Sequence, residues 1–357
     1  MIAGTLLIRA DAGAAIGAGH VMRCLALAQA WRSAGGEAVF ARAGENKLDD
    51  RLRAEGCDVA NIHADPGTVD DAEQTVELYR QHRASWLAVD GFQFLPKYCA
   101  RVGAGPRRLL LFDDDGSRAP YRCDVVLNMN PQASESMYVS RDPAPQVLAG
   151  ARYALLRQEF LKLGPAGRAI AEIAQRILVT FGGADTHNVT LKVLRALREI
   201  SSPRLEVTAI VGVSNPHRAG LEEEARKSPH EIRLLSHVED MAQFMSEADL
   251  AITAGGGTCF ELAFMRVPMF LLTMAANHER TVEAYGKANA AIAAGWFDKL
   301  ETSALSSRVL TAIRDRQLRV EIVANAAEMV DGGGAQRVVD AMSKITQKTG
   351  EATARAN

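Results

Sequence analysis

The stretch Ile8-Arg9-Ala10-Asp11-Ala12-Gly13-Ala14-Ala15-Ile16-Gly17-Ala18-Gly19-His20-Val21-Met22-Arg23-Cys24-Leu25 decides how the chain is read. It follows an apolar run, Thr5-Leu6-Leu7-Ile8, that reads as a buried strand. The loop is rich in Gly and Ala. From Val21 to Trp31 the residues Val21, Cys24, Leu25, Ala28 and Trp31 recur at helical spacing. Strand, glycine loop and helix in that order place free helix N–H groups against the loop, an arrangement suited to an anion or an oxygen-rich ligand. Gly17 and Gly19 allow a close backbone approach there. His20 stands at the mouth of the helix, where ligands collect in open α/β sheets. Read alone, it is a polar helix-start residue. With Asp11 and Arg23 close in sequence it is a candidate proton-transfer group, since imidazoles titrate near neutrality.

Outward from this stretch the alternation continues. Strands are expected at Glu37–Arg42, Cys57–Ile62, Trp86–Asp90, Leu109–Asp113 and Asp124–Asn128, with helices at Lys47–Glu55 and Val69–Ala84. The pattern lapses into a loop over Asn130–Pro145, and Gly164-Pro165-Ala166-Gly167 is the candidate hinge. It restarts with strands at Arg176–Phe181, Leu205–Val211, Ile232–Leu235, Asp249–Thr253 and Pro268–Leu272, and a helix at Val238–Glu247. From about His278 to Ile345 the chain reads as largely helical, and the polar tail from Thr346 as frayed. Alternating strands and helices give two doubly wound α/β domains in tandem, 1–165 and 166–345, with a tail 346–357.

Composition sets outer bounds. The 357 residues are 48% hydrophobic and 24% charged, ordinary for a globular chain and long enough for two cores. A net charge of −2 gives no bulk attraction to nucleic acid or to anionic membranes. Neither a signal peptide nor a membrane-spanning run is visible, so a cytoplasmic protein, a monomer or weak oligomer, is expected. The five cysteines are scattered without a CxxC and read as buried, reduced thiols.

The second half carries two glycine turns after strands, Gly182-Gly183-Ala184-Asp185 and Gly255-Gly256-Gly257-Thr258. Each presents backbone N–H groups suited to a diphosphate, although neither is a GxGxxG or a P-loop. Glu261, four residues after Gly257, is placed to accept from ribose hydroxyls or to complement the helix dipole. Asn277 either caps the following helix or faces substrate. Asp113-Asp114-Asp115 has the look of a metal cluster but reads better as a strand-end turn before Gly116-Ser117. No histidine has a partner at metal-ligand spacing, so neither metal nor cofactor is expected.

These residues together resemble the PseG family, the UDP-sugar hydrolases of pseudaminic acid biosynthesis. The likeness is carried by Ile8–Asp11, by Ile16-Gly17 and Gly19-His20-Val21-Met22-Arg23-Cys24-Leu25, and by Phe181-Gly182-Gly183-Ala184-Asp185 with Asn188. Asp124–Asn130, Ala254-Gly255-Gly256-Gly257-Thr258 with Glu261-Leu262, and the Asn277 segment extend it over about residues 5 to 340. The C-terminal glycine motif is shared with MurG-type glycosyltransferases. The resemblance implies a GT-B fold, two Rossmann-like domains facing across a cleft, with UDP held by the C-terminal one. It implies inverting, metal-independent hydrolysis of UDP-2,4-diacetamido-2,4,6-trideoxy-β-L-altropyranose to the free sugar and UDP. The position of His20 is that of the proposed general base, and that of Asn277 contacts substrate. Phe92 and His278 depart from the family, which commonly has Tyr and Gln at those positions. Two rivals stand beside this reading: a GT-B glycosyltransferase using the same UDP site, and a non-catalytic nucleotide-sugar sensor.

Overall fold

The computed structural model describes residues 4–356 apart from 14–15, 45–47, 139–143, 166–168, 183–184, 213–214, 237 and 239, with side chains described up to residue 347. The chain divides into two compact units, residues 1–158 with 332–357, and residues 159–331.

The first unit is built on a seven-stranded parallel sheet in the order β3-β2-β1-β4-β5-β6-β7. Its strands are β1 (Thr5–Ala10), β2 (Glu37–Ala43), β3 (Asp58–Ile62), β4 (Ala84–Asp90), β5 (Leu109–Phe112), β6 (Val125–Asn128) and β7 (Gln146–Ala149). The second unit carries a six-stranded parallel sheet, β10-β9-β8-β11-β12-β13. Here β8 is Arg176–Thr180, β9 Glu206–Ile210, β10 Glu231–Leu235, β11 Leu250–Ala254, β12 Met269–Thr273 and β13 Ile292–Trp296. Both sheets reverse direction between their first and fourth strands, the point where open α/β sheets take ligands. Strands buried on both faces read as continuous apolar runs. Accordingly β1, β4, β11 and β12 are almost wholly buried, packing Leu7 and Leu87 in the first core and Ile252 and Phe270 in the second.

The expected strands and helices fall within a few residues of those observed, with four corrections. The lapse after Asn130 ends in an additional strand, β7, whose four residues are too few to show a period. The supposedly all-helical remainder contains β13, a small-residue strand, Ile292-Ala293-Ala294-Gly295-Trp296, with no β-rich signature. Residues beyond 346 continue the helix Gly334–Ala356 instead of fraying. That helix packs on the helix Gly19–Ser33, so the first unit is assembled from both ends of the chain, where the sequence suggested simple tandem domains.

The reason is apolar surface. Val338, Val339 and Met342 are fully buried, and Trp86 on β4 donates its Nε1–H to Thr346 Oγ1 at 3.0 Å. Burying each such side chain contributes about 1.5–3 kcal/mol. The first residue of the helix is a glycine, Gly334, where a Cβ would lie 2.2 Å from the Ala154 carbonyl oxygen. Of the expected hinge, Ala166 and Gly167 lie outside the described residues. Among the described residues no helix is long and apolar enough to cross a membrane.

Candidate active site

In the first unit the loop after β1 closes through paired backbone bonds between Gly13 and Gly17. The helix Gly19–Ser33 then starts with Ala18 at its cap and no side-chain cap bond. His20 is turned inward and is only 7% exposed. Register pairs Ala10 at the end of β1 with Asp90 at the end of β4, which brings the Asp90 carboxylate up to the helix mouth. His20 Nδ1 lies 2.8 Å from Asp90 Oδ1.

Arg23, one turn after His20, binds the same carboxylate with two N–H groups, Nε to Oδ2 and Nη2 to Oδ1, each 2.6 Å. Its outer edge grips Asp114 at 3.0 and 3.1 Å, and its guanidinium carbon lies 5.0 Å from the Phe112 ring centroid. Burial pulls the Asp90 pKa up, but Arg23 and then His20 more than reverse this and hold it well below the usual carboxylate range. Burial likewise works against the Arg23 charge, and Asp114 and Asp90 carry its pKa well above normal. An ionised carboxylate only accepts hydrogen bonds. In the neutral imidazole the His20 proton therefore belongs on Nδ1, and the lone pair on Nε2. This is the arrangement of a general base oriented by a carboxylate. Phe92, 56% exposed, meets the imidazole edge-on with centroids 4.8 Å apart.

Asp90 and Asp114 are the functional candidates that sequence reading passed over. Asp90 was visible as a strand-terminal carboxylate, but its place beside His20 follows from β1–β4 adjacency. In the acidic run Asp113 and Asp115 serve the turn as expected, Asp113 accepting from the N–H groups of Asp115, Gly116 and Arg118 and from the Tyr121 hydroxyl, and Asp115 from the Ser117 N–H. Among the described residues no group of His, Cys, Asp or Glu could hold a metal ion. Asp11 belongs to a different network. Its oxygens accept from Arg9 at 2.6 Å, the Ala43 N–H at 2.8 Å and Gln93 at 3.1 Å, and Arg9 also binds Asp71. These bonds tie the ends of β1 and β2 to the loop after β4, a scaffold role for Asp11. Gly17 and Gly19 are exposed beside the loop.

In the second unit, Gly182 follows β8, and Gly183 lies outside the described residues. Asp185 accepts from the Val189 and Thr190 N–H groups, each 2.9 Å, and so caps the helix Val189–Arg198. After β11, Gly255, Gly256 and Gly257 turn into the helix Thr258–Phe264, with Glu261 half-buried in its first turn. A Cβ on Gly255 would lie 2.5 Å from Val282 Cγ2 and 3.0 Å from the His278 carbonyl oxygen, so the helix Ala276–Lys287 rests directly on this turn. Ala275 is that helix's cap residue, which removes the capping alternative for Asn277; Asn277 is exposed in the first turn. Thus the structure gathers Gly255–Thr258, Glu261 and the Asn277 segment in one unit, and His20 and Arg23 in the other.

Both units match known proteins. Residues 176–317 match the glycosyltransferase family 28 C-terminal domain. MurG of Acinetobacter baumannii superposes with a TM-score of 0.67 at 17% identity, over 95% of this chain and 99% of MurG. The fold is of GT-B type. Among curated relatives, the UDP-2,4-diacetamido-2,4,6-trideoxy-β-L-altropyranose hydrolase of Campylobacter jejuni is 25% identical over 77% of this chain and 94% of its own length. The protein MJ1062 of Methanocaldococcus jannaschii is 23% identical over 75% of this chain, which spans 55% of that longer relative.

Proposed function

We propose that this chain is an inverting UDP-sugar hydrolase acting, without a metal or other cofactor, on a UDP-linked 2,4-diacetamido-2,4,6-trideoxy sugar of the altropyranose type. The observation that carries the reading is the His20–Asp90 pair, with Nδ1 engaged at 2.8 Å and Nε2 left to accept a proton. The likeness to the Campylobacter jejuni hydrolase supports the substrate class. In the reaction, His20 Nε2 takes a proton from water as the water oxygen bonds to the anomeric carbon. The bond from that carbon to the diphosphate oxygen breaks, UDP departs with the electron pair, and attack from the opposite face inverts the centre. Asp90, itself held by Arg23, orients the imidazole and balances the positive charge it gains. Gly182, Gly183, Gly255, Gly256, Gly257 and Thr258 hold the diphosphate, whose developing charge backbone N–H groups stabilise. Glu261 takes the ribose and Asn277 the sugar. Cytoplasmic nucleotide-sugar metabolism, as a monomer or weak oligomer and with neither nucleic acid nor membrane as partner, fits this role.

One feature favours a transferase as the second reading. Phe92, against the His20 ring, and Leu95, three residues further along the same loop, leave 56% and 64% of their surfaces exposed, where an apolar acceptor could rest in place of water. An NMR time course with UDP-linked diacetamido sugars separates the two. Free sugar of inverted anomeric configuration, formed with no acceptor added and undiminished by excess EDTA, is the expected result. Turnover that begins only on adding an acceptor overturns hydrolysis, and loss with EDTA that a divalent ion restores overturns the metal-free chemistry.

A further inference from the structure

His278, half-buried in the second unit, has no part in the proposed chemistry. It is the third residue of the helix Ala276–Lys287, whose cap, Ala275, makes no side-chain bond to the first turn. Its carbonyl oxygen and Cβ lie 3.0 and 3.4 Å from where a Cβ on Gly255 would stand. The backbone is therefore pressed onto the glycine turn, and the ring is fixed beside it. Nε2 lies 4.0 Å from the Cβ position of Gly256. Nδ1 is covered by protein and has no hydrogen-bond partner among the described residues.

The two nitrogens thus have unequal surroundings. A proton on Nδ1 would be a buried donor without an acceptor, while a proton on Nε2 is presented at the glycine turn. Burial also holds the imidazole below its ordinary pKa, which favours the neutral ring. The ionisable groups nearby in sequence on the packed helices are Glu261, Glu279 and Arg280; Glu279 is engaged by Trp296 Nε1 at 2.8 Å.

We infer that His278 is a hydrogen-bond donor, through Nε2–H of a neutral imidazole, to a phosphate oxygen of the nucleoside diphosphate held at the Gly255–Gly257 turn. The inference rests on the nucleotide-sugar reading above and adds to it a side chain, and a protonation state, that the sequence did not assign to the ligand. Because the donor is neutral, the site gains directionality toward an oxyanion without adding a fixed positive charge.

The test is calorimetry of the full-length chain with UDP, and with uridine as the phosphate-free probe. A Gln amide nitrogen reaches about as far as Nε2, whereas an Asn amide reaches only as far as Nδ1. His278→Gln should bind UDP nearly as well as the wild type. His278→Asn should bind about 10- to 100-fold more weakly, the usual worth of one hydrogen bond to a charged group. Uridine affinity should be the same in all three. Nitrogen-15 NMR of the wild-type imidazole should show the Nε2–H tautomer before and after UDP is added. An Nδ1–H tautomer, undiminished UDP binding by His278→Asn, equal losses in Gln and Asn variants, or a parallel loss of uridine binding each overturns the inference. A wild-type chain that binds no UDP removes the nucleotide reading itself, and this inference with it.

Discussion

At the scale of single residues, Asp90 organises His20 and Arg23 at the centre of the proposed chemistry. His20→Asn should lower kcat by ~10² to ~10⁴, the usual worth of a general base, with KM little changed. Asp90→Asn should lower kcat by a comparable ~10² to ~10⁴, because an amide can hold the imidazole in the wrong tautomer. In steady-state kinetics the double variant should be hardly slower than His20→Asn alone; additive losses would show that Asp90 acts elsewhere. Stability gives an independent check. The folded-state pKa of Asp90 is depressed, so its contribution is complete above the unfolded value and is lost as pH falls through the folded one. The gap in urea midpoint between wild type and Asp90→Asn should be constant down to about pH 4 and close below it. A gap that widens with acid would contradict the ion pair. The cysteines make a third case. Burial pushes the thiols of Cys57 and Cys99 up to about 11 and that of Cys259 up to about 12. These three thiols should resist alkylation at mildly alkaline pH until denaturant is added; rapid modification in the native state, read by mass spectrometry, would refute their burial.

At the scale of elements, packing of helix starts onto glycine turns decides the second unit. The methyl group of Gly255→Ala would meet Val282 and the His278 carbonyl, displacing the first turn of the helix Ala276–Lys287. Overpacking of this kind costs about 1–3 kcal/mol. The variant should melt earlier and bind UDP more weakly by calorimetry, whereas Gly257→Ala, with open space around its Cβ position, should melt like the wild type. Equal melting of all three would mean that the turn and helix are not in contact. The glycine turn itself was legible in the sequence. That its first glycine serves helix packing was not, because the neighbour that a Cβ would strike lies 23 and 27 residues away in the chain.

At the scale of the whole molecule, the chain's last helix belongs to its first unit. Removing residues 332–357 would uncover Trp86 and the buried face of the helix Gly19–Ser33, which carries both His20 and Arg23. Hydrogen exchange should then rise across β1, β4 and that helix while β8 and β11 keep their protection. Loss of protection across both sheets would show that the helix stabilises more than its own unit.

The sequence by itself determined the class of fold and the candidate address of the proposed chemistry. Buried parallel strands are continuous apolar runs, glycine turns punctuate them, and both signals are local enough to read from neighbours in the chain. His20, Arg23, Gly255–Thr258 and Glu261 were singled out as candidates in this way. Only the tertiary structure decided which carboxylate orients His20, because Asp11 is nine residues away in the chain and Asp90 seventy, yet strand order pairs the distant one with the imidazole and gives the near one to Arg9. It also decided that the helix Gly334–Ala356 closes the first unit. An amphipathic helix declares that it has a face to bury, but the surface that covers this face is fixed by the packing of the whole chain.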